Sequence, residues 1–374
     1  MTATVLQAPP LRRESVHYTP GDCALLIGPA ETLLRHLEAV RLVGLRPALL
    51  CTDLPDPASL PRGLRALGGQ PAAIAGWMGA FRATLHTPQG PTDLVPLSCH
   101  ADGHFDWILD FSGMARPPVA PPGWYALAAG DRTALKQALL DIARCLREGY
   151  DKPRYFSLDE NLCAHARQGV KGCSACLTVC PAGAIRPGAQ AVSIEAHLCQ
   201  GCGTCALVCP SGAVRHVVPG TAAQLRRLAE ELAGQPALSG VWLCKEEETA
   251  SVPPDWLAFP VTEAASLGVE FWLAALALGS RRLAIATTAL PAATRLALSQ
   301  QLAWAAALLA GMGYPPALGL AEAAAEIEAL PPLPPMALPA GDDKRSLLLA
   351  ALEALLAAAA TPPVQIDLPP GPLG

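Results

Sequence analysis

The chain has little of what several broad functions require. Charged residues make up 16% of its 374 positions and aromatics 5%, and 27 Lys and Arg stand against 32 Asp and Glu for a formal charge of -5. Without a basic stripe to meet a phosphate backbone, nucleic acid is excluded as an expected partner. The start, MTATVLQAPPLRRESVHY, has no apolar run behind a basic segment, and Arg12-Arg13 is too little for a twin-arginine export motif, so no secretory signal is predicted. An unbroken apolar run of the ~20 residues that a membrane-spanning helix needs is also missing. Residues 272–290 are interrupted by Arg281 and Arg282, 302–320 by Pro315 and Pro316, and 347–360 is short and carries Glu353. The expectation is a cytoplasmic protein with no membrane span, whose Ala/Leu-rich stretches are helices of a soluble fold.

Cysteine is abundant, with 13 in the chain. Cytoplasmic thiols are kept reduced, so this many points to metal or redox work rather than to disulfides. Eight of them fall between residues 159 and 210 in two matched runs. The first, DENLCAHARQGVKGCSACLTVCP, holds Cys163, Cys173, Cys176 and Cys180; the second, EAHLCQGCGTCALVCP, holds Cys199, Cys202, Cys205 and Cys209. The second is C-x2-C-x2-C-x3-C-P, the spacing that bacterial ferredoxins use for a cubane iron–sulfur cluster. Overlaid, the runs are an internal repeat, with CSACLTVCPAGAI matching CGTCALVCPSGAV. They differ by one event: nine residues separate Cys163 from Cys173 where two separate Cys199 from Cys202, an excess of seven.

The spacing has a chemical reason. Three cysteines two apart wrap the backbone around one cubane, and the fourth, before Pro, is carried toward the other cluster. Gly201 and Gly203 allow a close backbone approach, and Pro181 and Pro210 turn the chain away. The predicted ligand sets are therefore crossed: Cys163, Cys173, Cys176 and Cys209 on a cluster A, and Cys199, Cys202, Cys205 and Cys180 on a cluster B. Crossing ties the halves together, so neither is expected to fold well without iron and sulfide. Zinc, which C-x2-C pairs also hold, fits triplets followed by C-x3-C-P less well. Two 4Fe-4S clusters are expected, with 3Fe-4S as the alternative for cluster A if Cys163 behind its insertion is not a ligand. His165 in that insertion offers a replacement for a thiolate ligand, but it and His197 before Cys199 are read as solvated loop histidines. Cys23, Cys51, Cys99, Cys145 and Cys244 are isolated and read as small buried hydrophobes.

The fold class expected is α/β flanking domains around a central α+β ferredoxin-like dicluster module. The boundaries are 1–150 for a Rossmann-like β-α-β domain, 151–220 for the dicluster domain, 221–360 for a parallel α/β docking domain and 361–374 for a Pro-rich tail. In the first domain CALLIG (23–28), AETLLRHLEAVRLVG (30–44) and RPALLCTD (46–53) read as strand, helix and strand. Gly28-Pro29 replaces the glycine fingerprint of a nucleotide site, and Asp53 reads as a turn residue. Residues 72–86 suggest a hairpin, 105–113 a core strand, and 131–148 a helix capped by Asp131 with Leu135, Leu139, Ile142 and Leu146 inward. In the dicluster module 191–197 reads as a linking strand. After it, helices are expected at 221–234, 261–279, 293–313 and 343–361, strands at 240–244, 281–288 and 316–322, and Pro-rich spacers at 331–339 and 361–374.

With the cysteine repeats, the α/β flanks and the stretch GVEFWLAALALGSRRLAIA, the chain resembles bacterial 4Fe-4S dicluster proteins that serve as electron-transfer partners of formate dehydrogenases and similar enzymes. The last third is also similar to the iron–sulfur delta subunit of certain hydrogenases, but only Cys244 remains there, so no third cluster is carried over. Members of the dicluster family commonly continue past a segment like DLPPGPLG into a second such module, which makes this chain an expected truncated relative or fragment. The resemblance implies a cytoplasmic iron–sulfur electron-transfer protein or oxidoreductase subunit. It would relay single electrons between partner proteins such as a formate dehydrogenase-type enzyme, with no substrate chemistry of its own. Two alternatives stay open: a nucleotide- or flavin-dependent oxidoreductase that uses the clusters internally, and a protein whose clusters sense oxygen or hold the fold together.

Overall fold

The computed structural model describes residues 14–53, 60–114, 119–166, 172–235, 238, 240–287, 290–341, 343–360 and 365–369. The Arg12-Arg13 pair and residues 167–171 of the insertion lie outside them. The fold is mixed α/β with several small sheets, in two compact units: Met1–Pro153 with Ala196–Leu198, and Arg154–Glu195 with Cys199–Gly374.

In the first unit, β1 (Ser15–Tyr18) pairs antiparallel with β10 (Tyr150–Pro153). Between them lie β2 (Cys23–Gly28), α1 (Ala30–Leu42), β3 (Arg46–Cys51) and β4 (Arg65–Gly68). A three-stranded antiparallel sheet follows, from β5 (Pro71–Ala75), β6 (Arg82–Thr87) and β7 (Gly90–Asp93). Then come β8 (Trp107–Asp110), β9 (Trp124–Ala126) and α2 (Arg132–Glu148). The main sheet runs β4-β3-β2-β8-β9, all parallel. Every residue of β2 and β8 is buried, which is why both read as continuous apolar runs rather than alternating ones.

The strand-helix-strand expectation for 23–51 is met, and Asp53 does more than turn the chain. Its Oδ1 accepts the Ala30 N–H at 2.7 Å, satisfying one of the unpaired donors at the start of α1. At the end of β2, Gly28 has φ +152°, and a Cβ there would lie 2.9 Å from Phe111 Cβ. The space beside the first strand is thus packed by a side chain where a nucleotide fold would leave room for pyrophosphate. Asp131 caps α2 as expected, accepting the Ala134 N–H at 2.9 Å, but the buried stripe is Leu135, Ala138, Ile142 and Cys145, with Leu139 and Leu146 only partly covered. The buried stripe is thus rotated from Leu139 and Leu146 toward Ala138 and Cys145.

The second unit begins with β11 (Phe156–Leu158), α3 (Ala175–Val179), β12 (Ile185–Arg186), β13 (Ser193–Ile194), α4 (Thr204–Val208) and β14 (Val214–His216). The pairs β11-β14 and β12-β13 are antiparallel. The linking strand expected over 191–197 is thus only two residues long. A parallel layer follows: α5 (Thr221–Gly234), β15 (Gly240–Cys244), β16 (Trp256–Pro260), α6 (Val269–Ala277), β17 (Arg282–Ile285), α7 (Ala292–Gly311), β18 (Leu318–Leu320) and α8 (Lys344–Ala358). Its sheet order is β16-β15-β17-β18.

Sequence patterning misses β16, because its apolar run comes one residue after Pro253-Pro254 and is only five residues long. It also overextends α6. Residues 264–266 form a separate 3-10 turn and Gly268 is extended at φ -114°, so the helix starts at Val269 and stops before Gly279 at φ +114°. All nine residues of α6 are buried, so its apolar pattern carries no face. The Pro-rich stretches are not free spacers. Leu333, Met336 and Leu338 pack on the core, and Met336 N–H donates to the Ala277 carbonyl at 2.8 Å. Within the tail, Trp304 Nε1–H donates to the Pro369 carbonyl at 3.0 Å and Ile366 packs over Gly311. One continuous apolar core joins the cysteine-bearing elements to the parallel layer, running from Cys163, Cys176 and Leu207 through Phe271, Trp272 and Leu355.

Candidate iron–sulfur site

All eight clustered cysteines lie in the second unit. Each run puts its third cysteine on a five-residue helix, Cys176 on α3 and Cys205 on α4, and its fourth at the helix end. Cys180 and Cys209 have nearly the same extended backbone, φ -76°, ψ 107° and φ -72°, ψ 110°. Both precede proline, whose ring disfavours helical geometry in the residue before it, so the repeat is conformational as well as sequential. Backbone N–H groups point at these two sulfurs: Ala184 donates to Cys180 Sγ at 3.3 Å and Val214 to Cys209 Sγ at 3.5 Å. Such N–H···S bonds stabilise thiolate, which is the form that binds metal.

The insertion closes on itself at its base. Cys173 N–H donates to the Ala164 carbonyl at 3.0 Å and Gly172 N–H to the His165 carbonyl at 2.7 Å. Cys163, just before this closure, is buried. His165 is not the solvated histidine expected. It is buried, and its Nδ1 donates to the Cys173 carbonyl at 2.9 Å, because a carbonyl can only accept. His197, also read as solvated, is half-buried in the first unit. Its ring stacks on Trp77 at 5.0 Å and its carbonyl accepts from Tyr18 Oη and Lys152 Nζ, each at 2.7 Å.

Electrostatics sort the thiols by neighbourhood. Burial pushes the Cys176 thiol up to about 12, with further upward contributions from Cys209, Cys173 and Cys163. The Cys205 thiol is pushed well above its ordinary value by burial, then by Cys199, Cys202, Cys180 and Cys176. Cys202 is raised by burial and by Cys180, and lowered by the hydroxyl of Thr204. So Cys209 of the second run acts on the first-run thiol Cys176, and Cys180 of the first run acts on the second-run thiols Cys202 and Cys205. A group of soft sulfur donors, three of them buried and five partly so, suits iron–sulfur chemistry, in which the metal displaces the protons that burial would otherwise retain.

Neighbouring elements brace α4 from both ends. At its start, Gly203 has φ +75°, and a Cβ there would lie 2.4 Å from Ser266 Cα. Thr204 Oγ1 lies 3.4 Å from Cys202 Sγ and 3.0 Å from Thr294 Oγ1 on α7, a fully buried polar chain reaching a cysteine sulfur. Gly201, at φ +78°, is covered by the Tyr155 ring, and its carbonyl accepts from His216 Nε2 at 3.1 Å. At the end of α4, Lys344 Nζ donates to the carbonyls of Ala206 and Leu207 at 3.0 and 2.9 Å and lies 3.6 Å from the buried Glu270. A cation on the last carbonyls of a helix satisfies them and matches their partial charge.

The five other cysteines divide. Cys51, Cys145 and Cys244 are buried and free, as expected. Cys23 and Cys99 are not isolated: they are disulfide-bonded across 76 residues, because the parallel sheet brings the start of β2 beside the loop that precedes β8. Burial raises the Cys244 thiol to about 11, so it stays protonated at neutral pH. Cys244→Ser is expected to leave iron and sulfide content unchanged, as measured by colorimetric analysis of anaerobically purified protein.

Among known families, one described as a 4Fe-4S dicluster domain matches residues 170–213. Seven of the eight clustered cysteines fall in that span and Cys163 precedes it. No curated protein matches the chain. A 4Fe-4S dicluster domain is thus found at residues 170–213, which belong to the second unit apart from Ala196–Leu198, and its cysteines support iron–sulfur binding. No helix among the described residues is long and apolar enough to cross a membrane.

Proposed function

We propose that the protein is an electron carrier that relays single electrons between redox partner proteins through two 4Fe-4S clusters, with no substrate chemistry of its own. The observation that supports this most directly is the exchanged neighbourhood of the cysteines: Cys176 is influenced by Cys209 of the other run, then by Cys173 and Cys163, and Cys205 most by Cys199, Cys202 and Cys180 and less by Cys176. In this reading the first set holds cluster A and the second cluster B. Bound there, the clusters supply reversible one-electron storage at a potential set by cluster type, hydrogen bonds to sulfur and burial. The chain's own part is to direct the N–H groups of Ala184 and Val214 at Cys180 and Cys209 and to hold Cys163, Cys176 and Cys209 in one core on which Cys180 and Cys205 pack. The cluster-bearing segment is the ferredoxin-like module, and the α/β segments before and after it set the docking geometry. A formate dehydrogenase-type partner rests on the resemblance of the cysteine repeats and flanks.

Cys163 is the ligand on which the cofactor of set A turns. Cys163→Ser is expected to convert cluster A to a three-iron species or abolish it, seen as a changed EPR spectrum of the oxidised protein. An unchanged spectrum with unchanged iron would show that Cys163 is not a ligand. The carrier reading is tested by anaerobic redox titration monitored by EPR. Two reversible one-electron couples with no saturable nucleotide or flavin binding are expected, and clusters that neither reduce reversibly nor pass electrons to any acceptor would overturn it.

A further inference from the structure

The first unit holds a second concentration of metal-ligating side chains, unrelated to the dicluster segment. Cys23 begins β2, and Asp106 immediately precedes β8, its neighbour in the sheet. The ladder fixes both, with Asp106 N–H donating to the Cys23 carbonyl and Cys23 N–H to Asp106 Oδ2 at 2.8 and 2.9 Å. The intervening loop returns Cys99, His100 and His104 to the same place. One ligand atom each from Cys23, Cys99 and His100 lie within 4.8 Å of one another, and so do one each from His100, His104 and Asp106. His100 is common to both groups.

The surroundings are those of a built metal site. Cys99 N–H donates to Cys23 Sγ at 3.2 Å, the kind of bond that stabilises a metal thiolate. His100 Nε2 lies 2.8 Å from Asp106 Oδ2, whose side chain is only 3% exposed. A buried carboxylate on one imidazole nitrogen is the arrangement that orients a histidine and raises its basicity when the other nitrogen binds metal. Ser98 fixes the loop, its Oγ accepting the His100 N–H at 3.0 Å and donating to the His104 carbonyl.

We propose that, with Cys23 and Cys99 reduced, Cys23 Sγ, Cys99 Sγ and the imidazole of His100 bind a divalent ion of the zinc class, with Asp106 positioning His100. Two thiolates and one imidazole suit that ion, which takes three protein ligands and a further position from water or another side chain. The disulfide is the metal-free form of the same pair. A phosphine or dithiol supplies two electrons to break the S–S bond, and the two thiols give up two protons to solvent as the metal binds.

The test uses the full chain, cluster-loaded, purified anaerobically and reduced with a phosphine. Zinc is added, excess removed, and zinc and iron measured by mass spectrometry, with zinc-edge X-ray absorption to identify the ligands. One zinc per chain with a mixed shell of two sulfurs at about 2.3 Å and nitrogen near 2.0–2.1 Å is expected. Cys99→Ser should lose it at unchanged iron content, and Asp106→Asn should weaken binding by about 10- to 100-fold. No zinc retained by the reduced wild-type protein would overturn the proposal, and so would a shell of four sulfurs, which would assign the metal to the dicluster cysteines. Because the wild-type measurements decide it, a variant that fails to fold does not rescue it.

Discussion

Cys209→Ser and Cys202→Ser are expected to cost the protein different clusters, although both residues belong to the second run. Each single substitution should remove about half of the iron, since each set is proposed to hold one cubane. Combination distinguishes crossed from uncrossed ligation. If the sets are exchanged, Cys209→Ser with Cys173→Ser removes no more iron than either alone, because both empty cluster A. Cys209→Ser with Cys202→Ser should remove nearly all of it. Uncrossed ligation reverses the two results. The logic is that of a double-mutant cycle, in which partners in one network do not add and members of separate networks do. Iron and sulfide analysis after anaerobic reconstitution, with EPR of the reduced protein, reads the outcome. The crossed result is favoured by the influence of Cys209 on Cys176 and of Cys180 on Cys205.

Gly203→Ala is expected to have the second large effect. The residue sits at φ +75°, where a side chain costs roughly 1–3 kcal/mol by itself. A Cβ would also fall 2.4 Å from the Cα of Ser266, which is backbone and cannot swing aside. Either the 264–266 turn withdraws or α4 shifts, carrying Cys202 and Cys205 with it. Gly183 offers the control. It has φ +59° but nothing within 4 Å of an added Cβ, so alanine there should carry only the conformational cost. Heating under anaerobic conditions should bleach the iron–sulfur absorbance of Gly203→Ala well below the wild-type temperature, and of Gly183→Ala by a few degrees. Equal shifts would show that contact with Ser266 is unimportant.

Several features were readable from sequence because they are local. The runs at 23–28 and 107–110 are buried on both faces, so composition alone announces them. Asp131 before a helical stripe names its own role. The cysteine runs declare their chemistry through spacing. What escaped depends on contacts across long separations. Gly201 and Gly203 are expected to allow a close backbone approach to a cofactor, and each is also pressed by a residue distant in sequence, Tyr155 and Ser266, which no local pattern shows. His165 reads as solvated because it lies in the insertion, and its bond to the Cys173 carbonyl depends on how the insertion closes. Cys23 and Cys99 looked unrelated because only the pairing of β2 with β8 joins them. The proline-rich stretches were misjudged for a similar reason: proline prevents helix and strand but not packing, and Met336 and Ile366 are anchored through side chains and single hydrogen bonds.

Lys344 has a bearing on how the protein would be built in a cell. It is the first residue of α8, near the far end of the chain, yet its ammonium group closes the helix that carries Cys205. During synthesis, the second cysteine run leaves the ribosome more than a hundred residues before this clasp exists. An apo-chain at that stage has the ligands but lacks the lysine and the buried Glu270 that secures it. Stable iron–sulfur loading is therefore expected only after α8 has been made.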